Sequence, residues 1–263
     1  MAISTLDGWI AARKSWTVLS RFATRASQAG FDFSVMGLAG AMTSGGLTLS
    51  VPNGEVPVAG AAGYPPMTYV GVSEIPYLSG VFYSANYVMR LGVYDDLFNC
   101  GTYTYNTSTT LTGQPSFSGR VFSADYTGLE LWAEVVTAFT GAFTVSVGYT
   151  NQDGTTGRST GAVTLATDPI VGRMIRIPLQ AADSGIMQIN SVTGTVASAG
   201  TFNLRVLKRL WIGHTPVAYY GDLDDPLKTG LPRLSADSAL FVIASPASTL
   251  VGGFELSASI AAG

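Results

Sequence analysis

Charge is what this sequence has least of. Lys, Arg, Asp and Glu make up 12% of its 263 residues, about half the usual quarter of a soluble domain. There is one cysteine, Cys100, and one histidine, His214. A lone cysteine forms no intramolecular disulfide, so a secreted disulfide framework is excluded. A lone histidine with no cysteine nearby supplies too few ligands for a zinc site. A Ser-His-Asp triad could use only His214 as its base. The net charge of -3 comes with no basic stripe of the kind that phosphate contacts require, so nucleic acid is not an expected partner.

Long apolar runs are missing too. Hydrophobic residues reach 47% and mean hydropathy is +0.31, yet no window approaches the roughly 18 uninterrupted apolar residues of a spanning helix. No membrane partner is expected. The opening "MAISTLDGWIAARKSW" lacks a charged n-region followed by an apolar core, so it does not read as a signal peptide. Synthesis in a cytoplasm is the expectation, with Asn106 of "NTS" left unglycosylated. No internal repeat of 20 to 50 residues marks a solenoid or propeller.

What is present is β pattern. In "FTVSVGYTNQDGTTGRSTGAVTL", residues 143–165, Phe143, Val145, Val147 and Tyr149 alternate with Thr144, Ser146, Gly148 and Thr150. Asn151-Gln152-Asp153-Gly154 then reads as a hairpin turn. Further strands are expected near Val81–Ser84, Tyr87–Tyr94, Leu129–Ala138, Met174–Ile177, Ile186–Val196, Thr201–Leu210, Ala239–Ala244 and Phe254–Ile260. Many short strands without interleaved helices predict a mainly β chain with an antiparallel sandwich or jelly-roll-like body. Ser4 or Thr5 can cap one short N-terminal helix carrying Leu6, Trp9 and Ile10. Whether Trp16 to Phe22 extends it or starts a strand stays open. Residues 37–66, rich in Gly and Pro with only Glu55 charged, predict an extended arm. The expected division is therefore 1–66, helix and arm, and 67–263, the β body, with a break near 113–128.

Candidate chemistry is sparse. Glu130, Trp132 and Glu134 share one face of a strand, an acidic and aromatic surface suited to glycans or, as paired carboxylates, to glycoside hydrolysis. A solvated strand face is the competing reading. Asp222, Asp224 and Asp225 offer hard oxygens to a cation such as Ca²⁺, but Asp-Asp-Pro is also a plain turn initiator. Asp95-Asp96 reads similarly. Arg205, Lys208 and Arg209 form the one basic cluster, a surface patch or an interface partner. His214 reads as a loop residue beside the Pro216 turn, and Cys100 as a small buried residue at a strand end. No catalytic, cofactor-binding or metal residue is assigned, and no cofactor is expected. So little charge leaves a surface suited to other subunits.

The phrases "IPLQAADSGIMQINSV" and "AGTFNLRVLKRL", together with "YDDLFNC", "MAISTLDGWIAA" and the ending "GLPRLSADSALFVIASPASTLVGGFELSASIAAG", carry a resemblance. Over most of its length the chain resembles virion-associated structural proteins of tailed bacteriophages. The resemblance implies a non-enzymatic particle component in the virion. A capsid decoration or minor capsid protein fits best, bound to the major capsid protein and to copies of itself in a trimer or other small ring. The alternative it leaves open is a tail or fibre component that binds host-surface glycans.

Overall fold

The computed structural model describes residues 5–25, 29–38, 46–61, 63–67, 73–165, 170–195, 199–248 and 252–263. The chain is mostly strand. In order, the strands are β1 (Arg13–Arg25), β2 (Asp32–Ser34), β3 (Val51–Glu55), β4 (Pro76–Ala85), β5 (Met89–Thr104), β6 (Ser108–Thr110), β7 (Leu129–Thr137) and β8 (Phe143–Asn151). They continue as β9 (Arg158–Ser159), β10 (Val163–Leu165), β11 (Arg173–Ile177), β12 (Ile186–Gly194), β13 (Thr201–Thr215), β14 (Tyr220–Asp224), β15 (Leu240–Pro246) and β16 (Gly252–Ala262). Among the described residues helix is confined to α1 (Leu6–Ala12), α2 (Pro226–Thr229) and two 3₁₀ turns. None of these helices is long and apolar enough to cross a membrane.

Two compact units emerge. The first comprises Met1–Gly46, Val58–Asp95 and Leu210–Gly263, the second Leu47–Pro57 and Asp96–Arg209. In the first unit a four-stranded sheet runs β1-β16-β4-β14, antiparallel throughout. β15 pairs antiparallel with β2 and with the first half of β5. Alternate residues of these strands, including Val81 and Tyr83 of β4, Leu91 and Val93 of β5, Leu240 and Val242 of β15, and Leu256 and Ala258 of β16, form one buried apolar cluster. The start of the chain obeys its capping signal. Thr5 Oγ1 accepts from the Gly8 N–H at 3.0 Å, and the helix stops after Ala12, where the segment with Trp16 and Phe22 becomes strand rather than more helix. The side chains of Leu6, Trp9 and Ile10 lie outside the described residues.

In the second unit one sheet runs β10-β8-β12-β6, with β9 on β8. β7 pairs antiparallel with β11 and β13. The hairpin forms as its alternation predicts. Phe143, Val145, Val147 and Tyr149 are buried, and Val145 stands opposite Val163. Leu131, Ala133 and Val135 of β7 join them with Leu204 and Val206 of β13 in a single core. This is the sandwich arrangement the pattern calls for.

The hydroxyl face of the hairpin is bonded within itself and to β12. Ser146 and Ser159 hydroxyls lie 3.1 Å apart, and the Asn190 amide donates to Thr150 Oγ1 at 3.0 Å. Part of the expected arm is strand. β3 pairs with the second half of β5, because Gly54, at φ +87°, brings its backbone against Phe98. A Cβ there would meet the Phe98 ring at 1.9 Å. Residues 39–45 and 62 of the arm lie outside the described residues.

Candidate functional site

Each sequence candidate now has a place. β-Periodicity does put Glu130, Trp132 and Glu134 on one face of β7, but that face is buried rather than solvated. The Trp132 indole N–H donates to Glu130 Oε2 at 3.0 Å. Glu130 Oε1 faces the Arg176 guanidinium at 3.4 Å and that of Arg209 at 3.8 Å. In the ladder, Arg205 stands opposite Trp132, and Asn203 opposite Glu134.

Glu134 therefore meets cation and amide rather than water. Arg205 Nε donates to Glu134 Oε2 at 2.8 Å and Arg205 Nη2 reaches the same oxygen at 2.6 Å. Its Nη1 pairs with Asp96. All three side chains are 0% exposed. The Asn203 amide donates to Glu134 Oε2 at 3.2 Å and to Leu47 O at 2.7 Å. Arg205 is thus no surface patch and Asp96 no turn. Both are interior, and Asp95 accepts from the Ser238 hydroxyl and the Ala239 N–H instead. Lys208, by contrast, lies over the Phe122 ring at 5.1 Å. A glycan has no access to stack on Trp132, which removes the feature that favoured sugar binding.

The acidic run does not converge either. Asp222 and Asp224 lie on β14, not in a loop. Asp224 accepts from the Trp211 indole at 2.8 Å and pairs with Lys228 at 3.1 Å. Asp222 accepts from the Leu223 N–H at 2.8 Å, which, ahead of its other partners, holds its carboxyl below the usual range. Asp225 caps α2, accepting from the Leu227 and Lys228 N–H groups at 3.0 and 3.1 Å, with Pro226 at the first helical position. Among the described residues no group of three His, Cys, Asp or Glu side chains could hold a metal ion. His214 lies near the end of β13, a strand residue rather than a loop one.

Cys100 lies inside β5 and is fully buried. Desolvation pushes its thiol up to about 12, so no thiolate forms at neutral pH. Native protein should resist iodoacetamide and react fully in concentrated guanidinium, read by intact mass. Rapid labelling of the native chain would contradict this burial.

One polar cluster escaped sequence reading. Asp183, in the loop after β11, receives Arg158 Nε and Nη2 at 2.8 and 2.9 Å, the Tyr149 hydroxyl at 2.6 Å and the Asn151 amide at 2.9 Å. The Arg158 hydrogen bonds, despite desolvation, hold its carboxyl at about 2. A folded value below the ordinary 3.8 means stability present above about pH 4 and lost as pH falls through about 2. Asp183→Asn should therefore cost about 1.5–3 kcal/mol at pH 7. The gap to wild type should narrow as pH falls from about 4 to about 2, in urea unfolding at each pH. An open cleft of about 570 Å³ is lined by Leu129, Glu130, Arg176, Pro178, Leu179 and Asp183. Both its carboxylates accept hydrogen bonds, Glu130 from Trp132 and Asp183 from Arg158.

No protein-family model matches this chain, and no curated protein matches its sequence. Solved structures showing some likeness include the infectious bursal disease virus VP2 subviral particle, at 10% identity over 95% of this chain and 80% of the other, TM-score 0.21. The same virus's Gx strain gives 8% identity, 95% and 81% coverage, TM-score 0.19. T=1 particles derived from that virus give 10% identity, 95% and 78% coverage, TM-score 0.16.

Proposed function

We propose that this chain is a non-enzymatic structural component of a tailed-phage particle, a capsid decoration or minor capsid protein that binds and stabilises the shell in the virion. The observation that carries the reading is where the polar and apolar side chains lie. The carboxylates and guanidiniums that could do chemistry hold the interior together, Glu134, Asp96 and Arg205 above all. Large apolar side chains meanwhile stand in water, with Tyr219 88% and Leu227 91% exposed. A surface of that kind suits burial against other subunits. The sequence resemblance supports the particle, and the low charge supports assembly.

The test is binding to particles produced without this chain. Purified protein is expected to co-sediment with such shells at a fixed stoichiometry and to raise their melting temperature, since a ligand that binds only the assembled state stabilises it. A chain that stays monomeric and fails to bind shells would overturn the reading.

A further inference from the structure

The open cleft of the second unit arises where two strands part. β11 pairs with β7 as far as Ile177, which stands opposite Leu131. The chain then leaves the sheet and rejoins it at Gly185, bridged to Thr127. Between these two points the loop and β7 border a space of about 570 Å³, within the roughly 300–1,000 Å³ of small-molecule sites. Leu129, Ile177, Pro178 and Leu179 give it apolar walls, and Glu130 and Arg176 stand among them. Arg176 and, beside it, Arg209 reach the same Glu130 oxygen, Oε1, at 3.4 and 3.8 Å, and their side chains are 62% and 55% exposed. Both distances exceed the roughly 2.7–2.9 Å of a closed charge-assisted hydrogen bond. Glu130 Oε2 is engaged by the Trp132 indole. Among the described residues Glu130 is the one carboxylate paired with either arginine, so two guanidiniums share a single negative charge. The other acid in the wall, Asp183, is matched by Arg158. One positive charge is left over beside the cleft.

We propose that this cleft binds a monocarboxylate with an apolar body, its head held by Arg176 and Arg209. A guanidinium presents five N–H donors in a planar fork that matches a carboxylate. Neither fork closes tightly on Glu130, and both stand half open to solvent. Because both reach one oxygen, the two like charges stand close together. A carboxylate entering beside Glu130 takes donors from both forks and offsets their repulsion. The surplus is a single charge, which suits a carboxylate rather than a phosphate dianion. The apolar walls then cover the body of the acid, and that burial adds to affinity. A neutral amide of the same size gains the walls but not the ion pair. The acid can be a free small molecule or the end of a neighbouring chain, since both present the same group.

Isothermal titration calorimetry of the full chain with hexanoate tests the site, independently of any binding to shells. One hexanoate should bind per chain, hexanamide should not, and hexyl phosphate should bind more weakly. Arg176→Gln and Arg209→Gln should each weaken hexanoate binding by about tenfold or more, as loss of a hydrogen bond to a charged group implies. Arg176→Lys keeps the charge without the fork and should lose less, but still measurably. Urea midpoints show which variants are folded. Where a glutamine variant fails to fold for want of a partner to Glu130, Arg176→Lys carries the test. An acetylated Gly-Gly-Leu peptide with a free carboxylate that binds more tightly than hexanoate would identify a chain end as the source. Tighter hexanoate would identify a free acid, and either result upholds the site. No heat with hexanoate or with the peptide would overturn it. So would equal affinity for hexanamide, tighter binding of hexyl phosphate, or unchanged hexanoate affinity in the folded arginine variants.

Discussion

Replacing Arg205 with leucine is expected to destabilise the chain by about 3–5 kcal/mol, a large fraction of the roughly 5–15 kcal/mol a domain possesses. The reason is what the substitution leaves behind. Glu134 and Asp96 are both 0% exposed, and both pair with the one guanidinium. Without it, two carboxylates remain in a region that water does not reach, and their mutual repulsion adds to the desolvation cost. A lysine would restore the charge but not the planar fork that serves Glu134 through Nε and Nη2 and Asp96 through Nη1, so Arg205→Lys should recover only part of the loss. Changing all three together, Arg205→Leu with Glu134→Gln and Asp96→Asn, removes the unpaired charges. It should be more stable than Arg205→Leu alone. Urea midpoints of the four proteins check this. A single Arg205→Leu variant within about 1 kcal/mol of wild type would contradict the buried ion trio.

The second large effect concerns Phe202. Its ring lies 5.7 Å from Tyr105 in a stacked arrangement, with Phe143 also at 5.7 Å and Tyr103 at 5.8 Å. Phe139 and Phe143 close the group, edge-on to each other at 4.8 Å. Phe202→Ala should cost about 3–5 kcal/mol, the lost transfer energy plus the cavity between rings that cannot collapse together. Tyr105→Phe probes a different contribution. The Tyr105 hydroxyl donates toward Thr137 O and Thr201 O at 3.0 and 3.1 Å, so losing it should cost about 1 kcal/mol while the ring stack stays. Coupling between Phe202 and Tyr105 in a double-mutant cycle should reach about 0.5–1.5 kcal/mol. Additive losses would show that the rings do not act together.

How far the sequence foretold this depends on the range of each interaction. The 143–165 hairpin was legible because its signals are local: a two-residue period and an Asn-Gln-Asp-Gly turn. β14 was not, because "DLDD" looks like a turn until Trp211, 13 residues upstream, takes up Asp224. β5 ran on past its expected end for the same reason. Asp95 and Asp96 sit in mid-strand only because their partners come from 143 and 109 residues further along the chain. The Glu130, Trp132 and Glu134 face shows the same limit. Period identifies which residues share a face, whereas a second layer decides whether that face meets water. That layer is set by Arg205, 71 residues from Glu134. Asp183 carried no local signal at all, since Tyr149, Asn151 and Arg158 reach it from the hairpin 25 to 34 residues upstream.

The central claim is that this chain works by being built into a particle, and a cryo-EM map of the intact particle tests it most directly. The account predicts density for the chain repeating over the shell in step with the major capsid protein. Particles that lack the chain, or hold it only as a few copies on the tail, would contradict the account.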